Sequence, residues 1–295
     1  MKIIDSHVHV WDPGVLDYGW LANNPDLNRP FLPQDLPHTP ADTLATVFVQ
    51  ADCRDNQGLK EVDWVASLGS TWPSLGAIVA FAPVSSGDRV AEDLGHLLQR
   101  PLVRGVRQLL QGRDESFVLH PDMLAGARCV ADAGLVFDAC IRSGQLATLA
   151  AFADAAPGLQ IVLDHMGKPP IASGALTEWS TGMRELARRS NVVVKISGAG
   201  AESDRNRPPG PQALPYIKET LHLFGADRCM LGSDWPVSLT GPATYKEWIT
   251  TAETALAGAT ASERASVSSG TAAGVYRLAE STGGATTEAR KQEKE

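Results

Sequence analysis

Cysteine is scarce in this chain, with four in 295 residues: Cys53, Cys129, Cys140 and Cys229. None stands in a C-x-x-C pair, so a zinc knuckle is excluded, and their scatter suits reduced, buried thiols better than a disulfide framework. Cys140 is the one placed where it could line a site. Positive charge is also short. Against 34 Asp and Glu there are 26 Lys and Arg, a net charge of -8, without the basic face a nucleic-acid partner requires. No apolar run is long enough to span a bilayer, so no membrane partner is expected. No charged leader with an apolar segment and cleavage site opens the sequence, and a cytoplasmic location is expected. No G-x-G-x-x-G follows the first apolar stretch, which disfavours a doubly wound dinucleotide fold. Hydrophobic residues at 43% still supply a sizeable core, enough for one large α/β domain or two ordinary ones.

What is present is a rhythm. Eight short apolar runs rich in β-branched residues recur: IIDSHVHV (3–10), TVFVQAD (46–52), LGAIVAFAPV (75–84), VRGVRQL (103–109), GLVFDACI (134–141), LQIVLDHMG (159–167), NVVVKISG (191–198) and RCMLGSDWP (228–236). Helical patterns separate most of them. HPDMLAGARCVADAG sets Pro121 in a first turn, Leu124, Ala127 and Ala131 at helical spacing, and Gly134 as a stop. SGQLATLAAFADAAPG aligns Leu146, Leu149, Ala150 and Ala153, and ends at Pro157-Gly158. Strands alternating with helices predict parallel pairing, and eight such units predict a (β/α)8 barrel over residues 1–280. Residues 11–45 read as a long ordered loop, 199–215 as a second one, and 281–295 as a polar, disordered tail.

A barrel of this kind builds its active site at the C-terminal ends of its strands. Seven of the eight runs carry polar groups late. His7 and His9 close the first; in strand alternation Ile3, Asp5, His7 and His9 share one face and Ile4, Val8 and Val10 the other. Gln50 and Asp52 end the second, Arg104 and Arg107 lie in the fourth, and Asp138 and Cys140 end the fifth. His165 closes the sixth, Lys195 lies late in the seventh, and Asp234 closes the eighth. A buried polar group without a partner costs several kcal/mol, so a purely structural barrel has no reason for such a pattern. A lone buried histidine is most often a hydrogen-bonded core residue. Two imidazoles on one face at a strand end, however, can share an ion. Only one of Arg104 and Arg107 can point inward. His38, His96, His120 and His222 fall in loops or helices and read as surface residues.

The ordered set IDSHVHVWDP, LDHMGKP and GSDWP resembles the amidohydrolase superfamily, specifically its amidohydrolase-2 branch. DYGWL, FLPQDL, VRGVRQLLQ, LDHMGKPPI, VVKISG, FGADRCMLGSDWPV and AAGVYRL are similar to segments of its sugar-lactonase group, the L-fuconolactonases and L-rhamnonolactonases. The likeness runs from Met1 to about Leu278. It implies a (β/α)8 barrel that hydrolyses a cyclic ester. His7, His9, His165 and Asp234 would form the polar centre and hold one divalent metal, zinc or manganese, where one is used. Asp234 would be the general base, with His165 and Lys195 beside it in the catalytic set. Lys195, Arg107, Gln50, Trp11, Tyr18 and Trp20 would contact the substrate.

FDACIR lacks the histidine many superfamily members carry on strand five, and strand four offers Arg107 in place of a bridging carboxylate or lysine. A two-metal centre is therefore not expected, and a metal-independent reaction stays open. The expected partner is a small lactone, most naturally an L-fucono-, L-rhamnono- or L-galactonolactone. A muconolactone or pyrone-dicarboxylate lactone, a decarboxylation on the same barrel, and a non-catalytic binding barrel are the alternatives. The sequence leaves room for a homo-oligomer.

Overall fold

A computed structural model of the chain describes residues 1–37, 43–240 and 244–278. Eight parallel strands lie side by side in chain order: β1 (Ile3–Val8), β2 (Thr43–Val49), β3 (Leu75–Phe81), β4 (Val103–Arg107), β5 (Val136–Ala139), β6 (Ile161–Leu163), β7 (Val192–Ile196) and β8 (Cys229–Leu231). The ring closes through a parallel bridge between Val8 and Trp235, where the His9 amide donates to the Trp235 carbonyl and the Asp234 amide to that of His7, both at 2.8 Å.

The pleat sends alternate residues to opposite sides. Inward-facing Ile4, Val47, Val79, Val136, Val162 and Val193 fill the barrel, while Phe48, Ile78, Phe137 and Val194 pack outward under the helices. Every strand from β2 onward is followed by a helix of nine or more residues. Pro121–Asp132 starts at the expected proline, with His120 Nδ1 accepting from the Asp122 amide at 3.2 Å, and the chain turns at Gly134 with φ 66°. Leu146–Ala155 buries the predicted Leu146, Leu149, Ala150 and Ala153. No described helix is long and apolar enough to cross a membrane.

Three expectations need correction. The alternation read along the first strand is broken: Asp5 pairs with Thr46 but Val8 with Phe48, so β1 carries an extra residue and a bulge. That bulge turns His7 to the interior with Ile4 instead of leaving it on the side of Ile3. Asp5 points the other way and accepts from the Ser233 amide at 2.8 Å and the Tyr245 hydroxyl at 2.8 Å. Next, β6 and β8 stop at Leu163 and Leu231, because the polar residues after them adopt turn conformations instead of extending the strands. Finally, the loop expected over 199–215 gives way at Pro209 to a helix, Pro209–Phe224; prolines suit a first helical turn, whose amides have no partner to lose. The segment 281–295 lies outside the described residues, as does His38. His96, His120 and His222 are exposed, as expected.

Candidate active site

The β1 bulge brings two imidazoles to the mouth of the barrel. His9 Nδ1 lies 2.7 Å from the Val49 carbonyl. A carbonyl only accepts, so Nδ1 carries the proton and Nε2 turns its lone pair inward. His7 Nε2 faces it at 3.1 Å. Asp234 Oδ1 stands 3.7 Å from His7 Nε2, 3.5 Å from His9 Nε2 and 3.8 Å from His165 Nε2. The histidine–aspartate centre predicted from three separate segments is therefore one cluster.

After β6 the backbone does something costly. His165, Met166, Gly167 and Lys168 all have positive φ, between 51° and 67°. Left-handed residues other than glycine normally occur singly, at about 1–2 kcal/mol each. This turn places Asp164 and His165, neighbours in sequence, in the same polar centre. Asp234 is left-handed too, at φ 60°. Gly198 lets the turn approach: a Cβ there would lie 2.6 Å from His165 Nδ1, the atom that pairs with Ser197 Oγ at 2.9 Å.

Beneath these groups lies a buried charge network. Lys195 Nζ donates to Asp138 at 2.5 Å and sits 3.2 Å from both Asp164 Oδ1 and His7 Nδ1. Tyr276, from the C-terminal helical segment, donates to Asp138 at 3.0 Å. Arg107 donates to Asp164 at 3.3 Å and to the Gln50 carbonyl, so Arg107 is the inward arginine, whereas Arg104 bonds the carbonyls of Pro101 and Val103. Burial pushes the Asp138 carboxyl up to about 6 against the pull of Lys195. At Asp164 burial is outweighed by Lys195 and His7, and the carboxyl falls well below its usual range. Burial pulls His165 down to about 4 and, with Lys195, holds His7 well below an ordinary imidazole. Both rings are neutral at neutral pH.

A cavity of about 430 Å³ opens above, lined among others by His9, Trp11, Trp20, Arg107, His165 and Asp234. Three residues expected to touch substrate do not line it. Lys195 lies under the floor with no exposed surface, committed to carboxylates. Tyr18 is 4% exposed and packs into the core beside Glu61. The Gln50 side chain accepts from the Asp52 amide at 2.6 Å. Asp164 is the centre residue the sequence reading missed. Strand alternation set it opposite His165, and only the left-handed turn brings both inward.

The long first loop forms one wall. Trp11 stacks edge-on against Trp20 and Phe31, and Trp20 Nε1 donates to the Ala51 carbonyl at 2.8 Å. Glu61, fully buried on the helix Gly58–Ser67, accepts from the Ala51 amide at 3.1 Å. Burial raises this carboxyl from 4.5 to about 7. A raised folded-state value means stability is full below the unfolded value of 4.5 and is lost as pH rises through 7. Glu61→Gln keeps the acceptor and removes the titration. Its melting temperature should gain several degrees on wild type between pH 5 and pH 8, since the shift corresponds to about 3 kcal/mol. An equal difference at both pH values would show that the carboxyl is not held protonated.

The donor set passes a test for a metal ion. His7, His9 and Asp234 offer three buried ligand atoms in one group, and His7, Asp164 and His165 form a second. A tetrahedral ion with bonds of about 2.0–2.1 Å holds its ligands roughly 3.3 Å apart, which the spacings of 3.1, 3.5 and 3.7 Å bracket. Asp138 and Asp164 are paired with Lys195 and Arg107, whereas Asp234 Oδ1 faces imidazole nitrogens, the arrangement a cation between them would suit. His165, expected beside His7, His9 and Asp234, falls in the second group, with its Nε2 3.8 Å from Asp234 Oδ1.

A family model described as amidohydrolase matches residues 4–278. The chain belongs to the amidohydrolase family. Among curated proteins this amidohydrolase is 34% identical over 295 residues to an L-fucono-1,5-lactonase of Burkholderia multivorans, covering 94% of this chain and 96% of the relative. It is also 34% identical over 240 residues to an L-fucono-1,5-lactonase of Burkholderia ambifaria, covering 80% of each. Among solved structures, an amidohydrolase of Burkholderia multivorans with bound zinc superposes with a TM-score of 0.83 at 30% identity, covering 95% of this chain and all of that one. The barrel of this amidohydrolase is thus that of its relatives.

Proposed function

We propose that this amidohydrolase opens the ring of a sugar lactone, with L-fucono-1,5-lactone the leading candidate. The observation that carries the reading is Asp234 Oδ1 set within 3.5–3.8 Å of three imidazole nitrogens at the floor of an open cavity. The names of the 34% identical relatives support it. Ester hydrolysis needs a base for the attacking water and a positive field for the acyl oxygen. Burial raises the Asp234 carboxyl, but His165, His9 and Lys168 outweigh it and hold it below its usual range. It therefore stands ionised and ready to take a proton. His7, His9 and Asp234 would hold one divalent ion, which, when bound, lowers the pKa of water and polarises a carbonyl. Val49 keeps His9 Nε2 free to ligate, while Lys195 and Asp164 fix the orientation of His7. Trp11 and Trp20 wall the cavity on the loop side.

A pH-indicator assay over a panel of L-fucono-, L-rhamnono- and L-galactonolactone, a muconolactone and a pyrone dicarboxylate tests the reading. Acid release from the sugar lactones is expected; silence across the panel, or carbon dioxide released from carboxylic acids, would overturn it. Stripping metal should abolish most turnover, with zinc or manganese restoring it. Full activity in protein shown to be metal-free would remove the ion from the reaction.

A further inference from the structure

We propose that Lys168 is a catalytic residue of this site, its ammonium holding the acyl oxygen as that atom gains charge and then the carboxylate of the ring-opened acid. The inference rests on the lactonase reading. In that reaction the water oxygen bonds to the acyl carbon while the carbonyl electron pair moves onto the acyl oxygen, and Asp234 takes the proton. The pair then returns, the ring C–O bond breaks, and the leaving alkoxide receives the proton. Negative charge thus gathers first on the acyl oxygen and ends on a carboxylate, and a cation with unused donors in the cavity would stabilise both.

Lysine 195, the obvious candidate by sequence, lies under the floor and is engaged by two carboxylates. Arg107 lines the cavity too, but its guanidinium is buried and its charge is already set against the Asp164 carboxylate, with a second bond to the Gln50 carbonyl. Arg142 lines it as well, on an exposed side chain where water screens its charge. Lys168 differs from all three. It lines the cavity, half-buried, and its Nζ donates to Gln111 Oε1 at 2.6 Å. An ammonium has three donors, so two remain. Its charge is felt at both ends of the reaction centre, lowering the carboxyl of Asp234 and the imidazole of His165.

The backbone is the second, independent observation. Lys168 ends the run of four left-handed residues that begins at His165. His165 and Lys168 flank the cavity from the two ends of that turn, with the Lys168 amide donating to the His165 carbonyl at 2.9 Å. Strain of this kind persists where the surroundings hold it, and it concentrates at working sites. The strained turn puts a cation anchored by Gln111 on the wall beside the base, so little ordering is left to do when charge develops.

The test compares wild type, Lys168→Met and Lys168→Arg in two measurements: turnover of L-fucono-1,5-lactone and calorimetric binding of L-fuconate. All three side chains meet the same left-handed backbone, and thermal melts check that the fold is kept. Lys168→Met should lower kcat about 10²–10³-fold, as loss of one oxyanion donor does, with KM much less changed. It should also weaken L-fuconate binding at least tenfold, and Lys168→Arg should recover part of both losses. Wild-type kcat and wild-type L-fuconate affinity in Lys168→Met would overturn the proposal. If wild type binds L-fuconate through Lys168 yet opens no lactone, the lactonase reading falls while the anion-holding role stands. If neither turnover nor Lys168-dependent binding is seen, both fall.

Discussion

Asp234→Asn should lower kcat by about 10²–10⁴-fold, the usual contribution of a positioned general base, while the protein folds and melts close to wild type. Structural tolerance follows from the geometry. The residue sits at φ 60°, a region that asparagine enters more readily than most side chains. Its structural bonds are made by the backbone: the amide donates to the His7 carbonyl and the carbonyl accepts from the Ser238 amide at 2.9 Å. The substitution keeps Oδ1 and the volume, and removes the charge and the capacity to accept a proton. Because Asp234 is also one of three candidate metal ligands, metal content should be measured beside kcat. A variant that retains its metal and loses turnover identifies the base. One that loses both shows that the carboxylate acts chiefly as a ligand. Turnover at the native rate would end the assignment.

How much of this was legible in the sequence follows from where each side chain stands. All eight strands were readable, because β-branched runs between helical patterns leave few other folds. His7, His9, His165 and Asp234 were readable because polar groups at the ends of apolar runs have no other economical place. Arg107 could be separated from Arg104 only once the pleat of β4 was known. What escaped lay in turns. Alternation along a strand holds while φ and ψ stay extended, and the bulge in β1 and the left-handed run after β6 both break it. The first reverses the side on which His7 falls, and the second brings in Asp164 and Lys168. Tyr18 and Lys195 show the converse error. Both are polar-tipped residues in suggestive segments, but Tyr18 turns into the core and Lys195 into the floor. A carbon stem of four methylenes reaches in whichever direction the carboxylates stand, and sequence does not say where they stand.

Lys195→Met carries the largest expected cost to stability. The side chain has no exposed surface and bridges Asp138, Asp164 and His7 within 2.5–3.2 Å. Methionine fills the space but leaves both carboxylates with one partner fewer, Asp138 held by Tyr276 alone and Asp164 by Arg107 and His7. Removing one member of a buried ion pair costs about 3–5 kcal/mol, against a total stability of about 5–15 kcal/mol. The melting temperature should fall by roughly 10 °C or more, and poor recovery of folded protein is the extreme form of the same result. A double variant, Lys195→Met with Asp138→Asn, discriminates the cause. The amide oxygen still accepts from Tyr276 while the unpaired charge is gone, so the pair should melt well above the single variant, with strong non-additivity in the cycle. If Lys195→Met instead melts within about 2 °C of wild type but loses turnover, the ammonium does not hold the floor together. Its place would then be with the reacting groups, where the sequence alone had set it.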